Sequence, residues 1–180
     1  MLLTKSGFHK SEECASTILE RYQVSRPAVP IEHIVQNEGL QILEYNFGDD
    51  ISGILIINDG VGAIGVNPKN HYHRQRFSIA HELGHYLMHR DSGNLFVDKD
   101  FIVKFRHTNR NYSLVEKKQE QEANAFAAAL LMPTKFIEQE IEKLEFFGYT
   151  ETEIISVLAK TFQVSEAAMS YRFSNLNNFF

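Results

Sequence analysis

Five residues, His81-Glu-Leu-Gly-His85, constrain this chain more than any other feature. Histidines four apart on a helix share one face and can aim both imidazoles at a single ion, so the pattern demands a helix here. The flanking residues comply. Positions 74–89 contain no proline, and Phe77, Ala80, Gly84, Leu87 and Met88 form an apolar stripe at helical spacing. Glu82 leaves such a helix about 100° around from His81, where its carboxylate can take a proton from water beside an ion without ligating it. With 8 His in 180 residues, shuffling yields on the order of 0.03 matches to His-Glu-x-x-His, so chance explains the motif poorly. The bland alternative is a helix whose histidines merely cap or pack.

Catalytic zinc usually takes three protein ligands and keeps one position for water, so a third ligand must come from elsewhere. Residues 113–132 read as a second long helix stopped by Pro133. On it Glu120 and Asn124 share a face, flanked by Ala123, Ala127 and Leu130, whose small surface permits close helix approach. Glu120 is therefore the candidate third ligand, and Asn124 can bond the non-ligating nitrogen of one histidine. Glu122 is the rival acid, but it leaves the helix about 200° away from Glu120. His71, His73 and His89 are read as non-ligands.

The remaining pattern is α+β. Residues 11–22 suit an amphipathic helix capped by Ser11, and Ile31, Ile34 and Val35 a short one ended by Gly39. The period then changes to two: 40–45, 51–57 and 61–66 read as strands of a small antiparallel sheet, with Asn58-Asp-Gly60 as a turn. Standing just before the motif helix, 61–66 is expected to be an edge strand able to pair with extended substrate. Residues 93–112 read as a loop, 134–147 as a helix, and 151–176 as two short helices joined at Gln163-Val164-Ser165. The expected organisation is a core over 1–133 and a C-terminal helical extension over 134–180 packed on it.

Composition narrows the setting. With 43% hydrophobic and 23% charged residues the chain can bury one sizeable core. No apolar run approaches a membrane span, no secretory signal is visible, and Cys14 alone cannot form an intrachain disulfide, so the cytoplasm is the expected location. Residues 158–173 resemble a helix-turn-helix, with Ser165 capping the second helix and Met169 in its core. The charges argue against direct nucleic-acid binding. Residues 134–180 hold four Lys or Arg against seven Glu, hence −3, and the would-be reading helix carries only Arg172. Lys104, Arg106, His107 and Arg110 form a basic stretch suited to solvated surface or a cleft rim.

Arg74-Gln-Arg-Phe-Ser-Ile-Ala-His-Glu-Leu-Gly-His-Tyr-Leu-Met-His89 and Glu120-Gln-Glu-Ala-Asn-Ala-Phe-Ala-Ala-Ala-Leu-Leu-Met-Pro133 resemble the two signatures of ImmA/IrrE-type metallopeptidases. The likeness extends through Pro30-Ile-Glu-His-Ile, Ile64-Gly-Val-Asn67 and Leu158-Ala-Lys-Thr-Phe-Gln-Val-Ser165, so it covers most of the chain. It implies a zincin-like fold and a gluzincin-like site in which His81, His85 and Glu120 hold Zn2+. It also implies a partner, since some members cleave a helix-turn-helix repressor encoded beside them and others are described as toxin-antitoxin partners. In the expected mechanism zinc brings the pKa of a water towards neutrality, Glu82 takes the proton, and a peptide carbonyl polarised by the ion is attacked. Tyr86, His107 and Tyr112 are available as oxyanion donors, and spacing selects none of them. The related thermolysin pattern has Asp where Asn124 stands here, so this hydrogen bond is expected to be neutral and weaker. A zinc-binding regulator without peptidase activity is the competing reading, and Glu82 discriminates, because a closed structural site has no use for an acid there.

Overall fold

The computed structural model describes residues 5–46, 52–58, 61–90, 113–144 and 148–177. The expected loop over 93–112, with its basic stretch, His107 and Tyr112, lies outside the described residues. The elements are α1 (Lys5–Arg21), α2 (Ile31–Asn37), β1 (Leu40–Glu44), β2 (Gly53–Asn58), β3 (Val61–Val66), α3 (Tyr72–His89), α4 (Leu114–Leu131), α5 (Thr134–Leu144), α6 (Glu151–Phe162) and α7 (Glu166–Asn177).

The architecture is α+β as expected, but the sheet is mixed where an antiparallel one was expected. Its order is β1-β3-β2. Strand β3 runs parallel to β1, with Leu40 opposite Gly62, and antiparallel to β2, with Ile54 opposite Gly65. It is the central strand, so residues 61–66 cannot be the edge that receives substrate. Gly62, Ile64, Gly65 and Val66 are all buried. An apolar strand covered on both faces reads the same wherever it stands across the sheet, and order along the chain does not set order across it. Among the described residues β2 pairs on one side only, and its Gly53 lies against α3.

Helix α3 is buried throughout residues 78–85. It packs most extensively on α4, which also meets α1. Ser113 caps α4: its hydroxyl accepts from Glu116 N–H at 3.2 Å while the Glu116 carboxylate accepts from Ser113 N–H at 2.9 Å. Such a box contributes about 1 kcal/mol. Ala123, Phe126, Ala127 and Leu130 are wholly buried, and full burial of Phe126 or Leu130 contributes roughly 2–3 kcal/mol each. Gly84 makes the crossing close. A Cβ at that position would stand 2.8 Å from Phe126 Cδ1 and 3.4 Å from the Ala123 Cα.

Helix α1 begins earlier than its apolar spacing indicates, so Ser11 is no cap. It sits mid-helix, its hydroxyl shared between the Gly7 carbonyl at 3.1 Å and the Glu122 carbonyl of α4 at 3.0 Å. At the other end of the chain, Gln163 adopts a left-handed φ of 55° that ends α6, Ser165 Oγ accepts from Ala168 N–H at 3.2 Å, and Met169 is fully buried. Arg172, the sole basic residue of α7, is 2% exposed. Its Nε donates to the Met132 carbonyl at 3.1 Å, and its guanidinium grips the Glu12 carboxylate and Thr134 Oγ1. The side chain that a DNA-reading helix would present outward instead clamps α7 to α1 and to the α4–α5 junction. No helix among the described residues is long and apolar enough to cross a membrane.

Candidate metal centre

Helix α3 presents His81 and His85 one turn apart, and the close α3–α4 crossing at Gly84 carries Glu120 to them. His81 Nε2 and His85 Nε2 are 3.0 Å apart, and the Glu120 carboxylate oxygens lie 3.4 Å from the first and 3.2 Å from the second. Ligands on a tetrahedral zinc ion with bonds of about 2.05 Å stand about 3.3 Å from one another. Each separation in this triangle of side chains is near that value, with Glu120 Oε2 towards His81 and Oε1 towards His85.

Proton positions point the same way. The Asn124 side chain lies against His81, with Oδ1 3.0 Å from Nδ1. An amide oxygen only accepts, so His81 carries its hydrogen on Nδ1 and a lone pair on Nε2. His85 Nδ1 is likewise engaged, 3.2 Å from His89 Nδ1. Two imidazole Nε2 atoms and a carboxylate therefore converge with their far sides occupied, an arrangement that repels itself unless positive charge lies between them. The donor set fits a divalent metal ion.

Glu82 follows His81 on α3 and is not a member of this triangle. Buried on α3, it faces Gly53 at the start of β2. A Cβ there would come within 3.6 Å of Glu82 Oε1 and 3.0 Å of Ser78 Cβ. Glycine at 53 thus lets the strand approach the carboxylate closely. A cavity of about 470 Å³ opens on the same side of α3, lined among others by Ser52, Arg74, Phe77, Ser78 and Ala168.

The other expectations sort cleanly. Glu122 points away from the triangle and meets His89, Oε2 to Nε2 at 3.0 Å. His71 and His73 contact each other edge-on near the start of α3 and take no part in the triangle. Tyr86 packs beside β3 near Gly62, with the Arg90 guanidinium over its ring. Sequence reasoning missed the His89–Glu122 pair and the place of Gly53. The signal for His89 was present, since it follows His85 by four residues, but its partner on α4 had none.

A small mixed sheet, a buried helix bearing His-Glu-x-x-His and a carboxylate from the next helix make a fold of the zincin-like metallopeptidase type. Residues 35–174 match the model of the IrrE N-terminal-like domain, peptidase family M78, and the chain belongs to that family. Among solved structures it is similar to a Mycobacterium tuberculosis transcriptional regulator, with a TM-score of 0.62 and 15% identity over 92% of this chain and 46% of that one. The chain thus spans less than half the length of that regulator. No curated protein matches the sequence.

Proposed function

We propose that the chain is a zinc-dependent endopeptidase whose ion is held by His81, His85 and Glu120, with Glu82 as general base. The observation that carries this reading is the triangle of side chains itself, in which two imidazole Nε2 atoms and the two oxygens of one carboxylate converge at separations near those of a tetrahedral site. Zinc is assigned because two imidazoles and one carboxylate, with a position left for water, suit it. When bound, the ion supplies Lewis acidity towards a water and towards a peptide carbonyl. Glu82 accepts the proton of that water and passes it to the departing amine, while Asn124 keeps the His81 ring turned. Extended substrate adds to β2 on the side that has no strand partner among the described residues; its Gly53 end lies at Glu82, and a side chain enters the neighbouring cavity.

The substrate assigned is a helix-turn-helix repressor or antitoxin encoded nearby, acted on in the cytoplasm. Membership of a peptidase family supports the chemistry, and likeness to a transcriptional regulator supports a regulatory setting. That same likeness favours a second reading, a metal-binding regulator that cleaves nothing. Direct DNA binding through α7 finds no support, because its single basic side chain is buried.

The test is co-expression of the neighbouring helix-turn-helix protein with wild type or with Glu82→Gln. Cleavage by wild type alone, with zinc retained by both, is the expected result. An intact partner in both cases, with equal biological effect, favours the regulator.

A further inference from the structure

Behind the triangle lies a second set of polar side chains for which the proposed chemistry has no role. His89, the last residue of α3, stands one turn beyond His85 and is 4% exposed, and Glu122 on α4 is 5% exposed. Glu122 Oε2 is 3.0 Å from His89 Nε2, and His89 Nδ1 is 3.2 Å from His85 Nδ1. Lys118 Nζ lies 3.7 Å from the other Glu122 oxygen.

With both rings neutral, hydrogen accounting leaves one arrangement. An ionised carboxylate only accepts, so His89 Nε2 carries the hydrogen and its Nδ1 is bare. A bare nitrogen can only accept, which makes His85 Nδ1 the donor. The His85 lone pair is then on Nε2, the atom that faces His81 and Glu120.

We infer that Glu122 and His89 are positioning residues for the metal, a relay of carboxylate and imidazole that holds the His85 ring with Nε2 aimed at the ion. The inference rests on the metal site proposed above and gives His85 what Asn124 gives His81. Burying a carboxylate and a second imidazole is costly unless each polar atom has a partner, and here the partners form one line ending at a ligand. A helix end needing only to be packed would be made from apolar side chains.

The test measures zinc affinity by competition with a chromophoric chelator, together with ring-nitrogen NMR of the zinc-loaded protein. His89→Phe fills the space without offering an acceptor and is expected to weaken zinc binding by about 10–100-fold. Glu122→Gln is expected to lose less, and the double variant no more than His89→Phe alone, since the two act in series. His89→Gln offers an amide oxygen to His85 Nδ1–H and is expected to recover part of the loss. The NMR spectrum is expected to report His89 as the Nε2–H tautomer and His85 as Nδ1–H. A folded His89→Phe that binds zinc as tightly as wild type, or a His89 hydrogen on Nδ1, overturns the relay and leaves the metal site standing. If His89→Phe does not fold, unchanged affinity in Glu122→Gln with the wrong wild-type tautomer overturns it equally. Wild type that binds no zinc overturns the metal site itself, and the relay with it.

Discussion

Asn124 Oδ1 lies 3.0 Å from Nδ1 of His81, on the side of the ring opposite the nitrogen that meets Glu120. One residue of α4 thus orients a histidine while another, a turn earlier, completes the triangle with it. Asn124→Ala is expected to weaken zinc binding by about 10–100-fold without loss of fold. Asn124→Asp replaces a neutral acceptor by a charged one and is expected to tighten it. Chelator competition on the three proteins gives the order Asp, Asn, Ala.

Gly84 sets how closely α3 and α4 cross. In Gly84→Val the added carbons meet Phe126, which is wholly buried and has no room to withdraw, and the backbone of Ala123. Overpacking of this kind costs about 1–3 kcal/mol. Because the crossing carries Glu120 to the histidines, the urea midpoint and the zinc affinity are expected to fall together. A variant that loses stability but keeps full affinity would show that the spacing does not govern the site.

Arg172 bonds the Glu12 carboxylate and the Met132 carbonyl from a buried position. Removing one partner of a buried pair leaves the other groups uncompensated, and with Glu12 part-exposed the expected cost of Arg172→Ala is about 3 kcal/mol. For a chain of this size that is a fall in Tm of roughly 6–12 °C. Calorimetry checks it. A gel shift at low salt is expected to find no duplex binding that the substitution removes.

Burial holds the pKa of His89 below its ordinary value, with His85 acting in the same direction and Glu122 opposing. The unfolded chain therefore takes up a proton near pH 6.5 that the folded chain refuses, so acid favours unfolding. The contribution is present above about pH 6.5 and is lost as pH falls through the folded value. Urea midpoints of metal-free protein from about pH 7.5 to 5.5 are expected to fall more steeply for wild type than for His89→Gln.

Local patterns carried much of this arrangement. The four-residue spacing of His81 and His85 and the 200° between Glu120 and Glu122 are properties of a single helix, and α3 and α4 fall where the apolar spacing and Pro133 put them. What was not legible is lateral. Whether 61–66 stands at the middle or the edge of the sheet depends on pairing with β1 and β2, which no single strand encodes. Arg172 reads as a surface cation until Glu12, 160 residues away, is placed beside it. His89 and Glu122 are two unremarkable residues until α4 crosses α3. Gly53 carries no signal of the carboxylate it makes room for.

The central claim is that His81, His85 and Glu120 hold one zinc ion with a position left open. X-ray absorption at the zinc K-edge of the stoichiometrically loaded protein addresses it directly. The expected spectrum is a four-coordinate shell of nitrogen and oxygen at about 2.0–2.1 Å that contains two imidazoles and no sulfur. Failure to load one zinc per chain, or a closed shell with three or more imidazoles, would contradict it.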